Sequence, residues 1–345
     1  MKMNFCKVLL TAVICLKSAV GYAQDGRGEF YRAKTVTIVV GFEPGGGYDA
    51  YMRLIARHMG GHLPGQPKFI VQNMPGAGTR VAANWLYAIA PRDGTTLGSI
   101  VQSTPIDQVL GEPGVRFDAG EFNWIGNPII DNLVTLSSAQ SGFRAMEHVK
   151  EKRGLICGSS GGGPTVTFPH AISHLLGAHI DVVGGYPGVT AINLAIERNE
   201  VNCLGGTAWS SMKATMGPMM RAGKIVVLAQ WGMEKDPEIS AFAKREVPLI
   251  SEYAQTSLDR DALTFLVSSA ALSRPLLAPP GVPAEQVTQL RAAFDATMRD
   301  PAFRADAEKS SMDIKPKAGA EIQTLVRRIV STSPDTVRRA KELIE

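Results

Sequence analysis

Three turns in this chain carry the residues that could do chemistry, and all three are rich in hydrogen-bond donors. The first is Pro44, Gly45, Gly46 and Gly47, with Asp49 close behind; the second is Pro75, Gly76, Ala77 and Gly78; the third is Ser159, Ser160, Gly161, Gly162 and Gly163, with Thr165 two residues on. Glycines let backbone N–H groups approach a ligand, and hydroxyls donate without charge, so the chemistry offered is the binding of a carboxylate or phosphate. Nucleotide motifs do not fit. The first turn lacks Gly-Lys-Ser/Thr, and Ala50 stands where a dinucleotide fingerprint needs its last glycine. Neither serine turn is read as a hydrolase elbow. His170 and His174 stand four residues apart, as on a zinc helix, but Ala171 fills the place of the catalytic Glu. They are read as surface or capping residues, and no metal or other cofactor is expected.

These turns need strands and helices to hold them. "TVTIVV" (35–40) reads as a buried parallel strand, and Met52, Ile55, Ala56 and Met59 then share one helical face, with Arg53 and Arg57 elsewhere on the helix. The first glycine turn therefore sits on a helix N-terminus, where unpaired N–H groups and the helix dipole favour an anion. "KFIVQN" (68–73) reads as a second strand, Ala82, Trp85, Leu86 and Ile89 as a second helical face, and "TLGSIV" (96–101) as a third strand. Strands alternating with helices predict a doubly wound, mainly parallel sheet that binds ligands at the carboxyl ends of its strands. "GLICGSSGGGPTVTF" (154–168) repeats the strand, turn and helix pattern, with Phe168, Ile172, Leu175 and Leu176 as the apolar face and Thr165 or Thr167 as its cap.

Composition limits the alternatives. Hydrophobic residues make up 45% of the 345-residue chain, enough for two domains, and no repeat is visible. Residues 1–23 read as a signal peptide: Lys2 and Lys7 precede a short apolar run, and small residues lead to cleavage near Ala23. Removing Lys2, Lys7 and Lys17 takes the formal charge from +4 to +1, which gives no electrostatic case for nucleic acid. The expected location is the periplasm. Cys157 and Cys203 are the cysteines left after cleavage; both are expected late in neighbouring strands, as a disulfide or as two buried thiols.

"VVGFEPGGGYDAYMRLIA" and "VQNMPGAGTRVAANWLYAIAPRDGTTLG" together resemble the extracytoplasmic solute-binding proteins of tripartite tricarboxylate transporters, the Bug or TctC-type family. "CGSSGGGPTVTFPHAISHLLG" and "VGGYPGVTAINLAIERNEVNCLGG" extend the likeness into the second half. Gly41, Thr79 and Pro187 depart from the family pattern. The resemblance implies a two-domain, type II-like periplasmic binding protein with a carboxylate in its cleft, and a hand-over to membrane transporter subunits. Domain one is placed at 24–126 plus 250–345, and domain two at 127–249.

On this reading the ligand is a di- or tricarboxylate, an aromatic acid or an acidic amino acid, bound by a monomer that catalyses nothing. Its contacts are expected from amides of Gly45, Gly46, Gly47, Gly76, Ala77, Gly161, Gly162 and Gly163, and from hydroxyls of Ser103, Thr104, Ser159, Ser160, Thr165 and Thr207. Phe42 supplies an apolar wall, or simply a core side chain; Tyr186 reaches across with its hydroxyl. Asp49 caps the first helix and orients water or a ligand amino group, since it would repel a carboxylate directly. Arg80 is read as exposed, and "SRPLLAPPGVP" (273–283) as a surface connection. The C-terminal third is expected to build covering helices. Two other readings remain: an exported hydrolase acting on a carboxylate ester or amide, and a ligand-sensing subunit of a signalling system.

Overall fold

The computed structural model describes residues 30–160 and 163–345. The expected signal peptide, Gly161 and Gly162 lie outside the described residues.

Strand β1 (Thr35–Val40) leads through the first glycine turn into helix α1 (Gly47–His58), followed by β2 (Lys68–Asn73), α2 (Arg80–Ala88), β3 (Thr96–Ser99), α3 (Thr104–Leu110) and β4 (Asn123–Asn127). The chain then crosses to β5 (Leu133–Ser138) and continues with α4 (Met146–Glu151), β6 (Leu155–Gly158), α5 (Pro164–Leu176), β7 (Ile180–Val183), α6 (Val189–Glu197), β8 (Cys203–Ala208), α7 (Trp209–Arg221) and β9 (Ile225–Trp231). It returns through α8 (Pro237–Ala243) and α9 (Ser257–Val267) to β10 (Leu276–Ala278), α10 (Ala284–Arg299), α11 (Pro301–Lys309), β11 (Lys317–Ala318), α12 (Gly319–Val330) and α13 (Pro334–Ile344).

Two sheets result. The six-stranded sheet has the order β11-β4-β10-β3-β1-β2 and the five-stranded sheet β7-β6-β8-β5-β9. Both are mixed: β1, β2 and β3 are parallel in the first while β10 and β11 run against their neighbours, and β6, β7 and β8 are parallel in the second while β5 runs against β8 and β9. Alternation along β1 explains the double winding. Val36, Ile38 and Val40 pack with Met52 and Ile55 of α1, with Met59 just beyond its end and with Phe294 of α10, whereas Val39 packs on the other face with Ala82 and Leu86 of α2. In the second sheet, Val134 and Leu136 meet Ile192 and Met212 on one face, while Cys157 and Cys203 lie with Phe168 and Ile172 of α5 on the other.

The sequence expectations hold along α1 and α10, whose stripe of Val287, Leu290, Phe294 and Met298 is buried. Ile89 is a correction. The helix stops one residue earlier, and its side chain is 71% exposed while Ala83 and Ala90 take the buried positions. The stretch from Ser273 to Pro283 is not a surface connection: Leu276, Leu277 and Ala278 are fully buried and pair with both β3 and β4. Its prolines flank a strand whose residues are all apolar, which is why it can lie inside the sheet.

Cys157 and Cys203 are joined as a disulfide, directly opposite each other in the parallel β6–β8 pair. Cys157 is late in its strand as expected, but Cys203 opens β8 rather than ending it. His170 and His174 sit against the carbonyls of Glu345 (3.1 Å) and Leu343 (2.9 Å), through Nδ1 in each case. They cap the end of α13, where the helix leaves its last carbonyls without partners.

Candidate functional site

Register brings three turns to one edge of the first sheet, because Val40 at the end of β1 pairs with both Asn73 and Ser99. The turns are then tied together. Asn73 Nδ2 donates to the Phe42 carbonyl and to Asp49 Oδ1, each at 2.9 Å. Asp49, only 2% exposed, also accepts from Gly45 N (2.9 Å) and Arg53 Nε (2.8 Å). The Arg53 bond, helped by the Gly45 and Asn73 donors and working against desolvation, holds the Asp49 carboxyl at about 2. Asp49 therefore fixes the turn. It does not cap α1 through its side chain; the N-cap is Gly46, with no side-chain bond.

This corrects the expectation for the glycines. Gly45, at φ 88°, has its N–H committed to Asp49, so it offers no donor to a ligand. Gly46 is in ordinary extended backbone at φ −77°, with its carbonyl accepting from Ala50 N. The first amides of α1, from Gly47 onward, have no intrahelical acceptor. Phe42 is half-buried and stacks on Tyr48 at 4.2 Å, so it is a wall of this edge through Tyr48. The Tyr48 hydroxyl accepts from Gln102 N at 3.1 Å, and burial pushes its phenol up against the pull of Arg274.

The second turn runs through backbone of unusual conformation: Gly76, Ala77, Gly78 and Thr79 all have positive φ. Gly76 and Ala77 are exposed, whereas Thr79 is buried and its Oγ1 accepts from Val101 N at 3.1 Å. In the turn after β3, Ser103 Oγ donates to Asp107 Oδ2 (3.2 Å) and Thr104 Oγ1 to the Val101 carbonyl (2.7 Å). Both hydroxyl protons are spent within the protein, contrary to the expectation that they would serve a carboxylate. Burial pushes the Asp107 carboxyl up to about 6, the Ser103 bond notwithstanding. Arg80 begins α2, half-buried.

At the second sheet, Gly158 pairs with both Val183 and Leu204, so the turns after β6 and β7 start together, and Tyr186 N donates to the Ser159 carbonyl. Thr165 Oγ1 accepts from Ser160 N at 3.3 Å and meets the Ser159 and Ser160 hydroxyls at 3.5 and 3.3 Å. Neither Thr165 nor Thr167 caps α5. Gly163 is its N-cap, and Thr167 Oγ1 donates back to the Gly163 carbonyl. Tyr186 is half-buried beside Gly158, and Thr207 is buried in β8 opposite Val134. Gly158, Ser160 and Gly162 do have the G-x-S-x-G spacing of a nucleophile elbow, against the sequence expectation. Among the described residues, however, the Ser160 hydroxyl meets Thr165 and no imidazole.

A cavity of about 800 Å³ opens beside the first turn, with Gly47, Tyr51, Ser210, Lys213, Arg274 and Asp313 in its lining. Of the residues expected from sequence, Gly47 alone lines it among the described residues. The described second-sheet side comes from the start of α7. Lys213 spans the two sides by bonding Glu238 at 2.7 Å and Asp313 at 2.8 Å. Arg274 stands at 4.6 Å over the Tyr48 ring and 5.9 Å over the Tyr51 ring. Asp131, 4% exposed, accepts from Ser210 N (3.2 Å) and from the Ser210 hydroxyl, and burial raises its carboxyl. Sequence reasoning missed Arg274, Ser210 and Asp131. A lone arginine inside the apolar run "AALSRPLLAPP" was the one available signal, since an unpaired charge among buried residues is costly without a purpose.

No protein-family model and no curated protein matches the chain. Solved structures do. A TctC solute-binding protein from Polaromonas is 18% identical with a TM-score of 0.66, over 91% of this chain and 99% of its own. MatC from Rhodopseudomonas palustris with bound malate is 21% identical with a TM-score of 0.60, over 90% and 99%. A second R. palustris protein, with adipate, is 20% identical with a TM-score of 0.61, over 89% and 97%. At these identities the likeness establishes architecture. With its two mixed sheets and the turns gathered at the carboxyl ends of their parallel strands, the chain has the two-domain fold of a periplasmic binding protein.

Proposed function

We propose that this chain is a periplasmic solute-binding protein of the Bug or TctC type that captures a small organic carboxylate and passes it to a membrane transporter. The observation that carries this reading is the cavity between the start of α1 and the start of α7, two helix N-termini that belong to different sheets. A ligand there is gripped from both sides, and its binding closes one domain on the other. The malate and adipate in two proteins of the same fold are both carboxylates, which supports the class of ligand. Domains of 24–126 plus 250–345 and of 127–249, export by a signal peptide cleaved near Ala23, and action as a monomer complete the proposal. No step of chemistry is assigned to the protein.

The test is a thermal-shift screen of the mature protein against mono-, di- and tricarboxylates, aromatic acids and amino acids. An acid at 100 times its dissociation constant stabilises the fold by about 2.7 kcal/mol, a readable rise in melting temperature. Chromatography then recovers the acid unchanged. Turnover of the acid would replace this reading with the hydrolase.

A further inference from the structure

Arg274 has no carboxylate in contact with it among the described residues. Its Nε is buried and donates to nothing, Nη1 donates to the Ser273 carbonyl at 2.6 Å, and among the described residues it enters no ion pair. Its guanidinium lies against the start of α1: a Cβ built on Gly47 would stand 3.3 Å from Nη2 and 3.4 Å from Nε. That places a positive side chain beside the positive end of a helix dipole. Such an arrangement is unfavourable unless an anion sits between them. The neighbouring carboxylates do not fill the role. Asp49 is engaged by Arg53, Gly45 and Asn73, and Asp131, which feels the charge of Arg274 without an ion pair to it, spends its hydrogen bonds on Ser210 while burial raises its carboxyl.

The rest of the cavity reads differently. Lys213 is already satisfied by Glu238 and Asp313, Arg304 spends its Nε on the Met298 carbonyl, and Glu308 adds a further acid to the lining. A second ligand carboxylate placed there would meet Asp313 and Glu308. Tyr51, Met312 and Ile314 instead offer apolar surface. We infer that Arg274 and the first amides of α1 form a single carboxylate subsite, and that the ligand is a monocarboxylate with an apolar body lying toward Tyr51, Met312 and Ile314. The inference rests on the carboxylate-binding function proposed above and narrows it.

Calorimetry on the mature protein separates the two. The probes are hexanoate, phenylacetate and benzoate, with malate, adipate and citrate as polyacids and the neutral amide of the best acid as control. One apolar monocarboxylate is expected to bind more tightly than any polyacid. Arg274→Gln then weakens it by about 30-fold or more, the loss typical of truncating one partner of a buried charge pair. Arg274→Lys keeps the charge without the fork and falls between the two. The amide binds wild type and Arg274→Gln equally weakly, which a merely structural role for Arg274 would not produce. A polyacid as the tightest ligand overturns the inference, as does a cooperatively folded Arg274→Gln that binds the acid within about threefold of wild type. If Arg274→Gln does not fold, Arg274→Lys decides: affinity unchanged from wild type overturns the inference, and a clear loss supports it. If no acid binds the wild-type protein, the proposed function itself falls and takes this inference with it.

Discussion

The turn after β1 and the turn after β6 look alike in sequence, each a glycine run between a strand and a helix, yet they are held in place by different chemistry. The first is fixed by a buried charge: Asp49 gathers Gly45, Arg53 and Asn73 onto one carboxylate. The second hangs from a covalent staple, the Cys157–Cys203 disulfide at the end of β6, and its local contacts are neutral hydroxyls around Thr165. One anchor answers to pH and the other to redox potential.

The largest expected effect breaks the second anchor. The disulfide closes a segment with a sequence separation of 46, and on the chain-entropy account its loss costs about 4 kcal/mol. Urea unfolding of Cys157→Ser with Cys203→Ser is expected to show that loss. Thiol titration of the denatured, unreduced mature protein is expected to find no free thiol, and two reactive thiols there would remove the staple from the comparison.

Breaking the first anchor comes next. Asp49→Ala strands three donors and is expected to cost about 2–4 kcal/mol. Its pH dependence identifies the mechanism. The folded carboxyl sits at about 2, below the ordinary 3.8, so the stabilisation is complete above pH 4 and lost as pH falls from there toward 2. The stability gap between wild type and Asp49→Asn should therefore shrink between pH 5 and pH 2.5, by about 2 kcal/mol. A gap that stays constant over that range would assign Asp49 a packing role only. Asp107 has the opposite sign: raised to about 6, it disfavours the fold as pH rises through 4 to 6, so Asp107→Asn is expected to stabilise the protein at pH 7.5 more than at pH 4.

A smaller effect sharpens the comparison within the first turn. Gly45, at φ 88°, is in left-handed backbone, and Gly45→Ala is expected to cost about 1–2 kcal/mol. Gly46 is extended and has no atom closer than 3.9 Å to a built Cβ, so Gly46→Ala should change stability by less than about 0.5 kcal/mol. Equal losses in the two melting curves would mean that the glycines serve the turn in the same way. Last, Thr165→Ala at the second turn removes the neutral contacts to Ser159 and Ser160 and is expected to cost about 1 kcal/mol, with no change between pH 7 and pH 4.

Strand and helix placement was written in local pattern. The apolar alternation of "TVTIVV", the face of Met52, Ile55 and Met59, and the stripe from Val287 to Met298 each depend on a few consecutive residues, and the structure realises them with little shift. Where local pattern meets a helix end it is weaker: Ile89 fits the periodicity but falls at the C-cap, outside the packed turns. The sequence also determined that the glycine turns would stand at helix starts and that parallel strands would alternate with helices, because those features follow from period and punctuation, whereas the antiparallel members of both sheets came only with the fold.

What each donor does was decided only in three dimensions. A hydroxyl or an N–H in a turn is the same group on paper whether it faces a cleft or a neighbour. Asp107 claims Ser103, the Val101 carbonyl claims Thr104 and Asp49 claims Gly45 within four residues of sequence, whereas Asn73 reaches Asp49 and the Phe42 carbonyl only once the strand ends lie side by side. Arg274 reaches further still. It is separated from Gly47 by more than two hundred residues of sequence, and β10 inserted between β3 and β4 is what carries it to the start of α1. Periodicity reports on neighbours a few residues apart, whereas a binding site is made by contacts whose sequence separation carries no local signal, so this part of the protein had to wait for the fold.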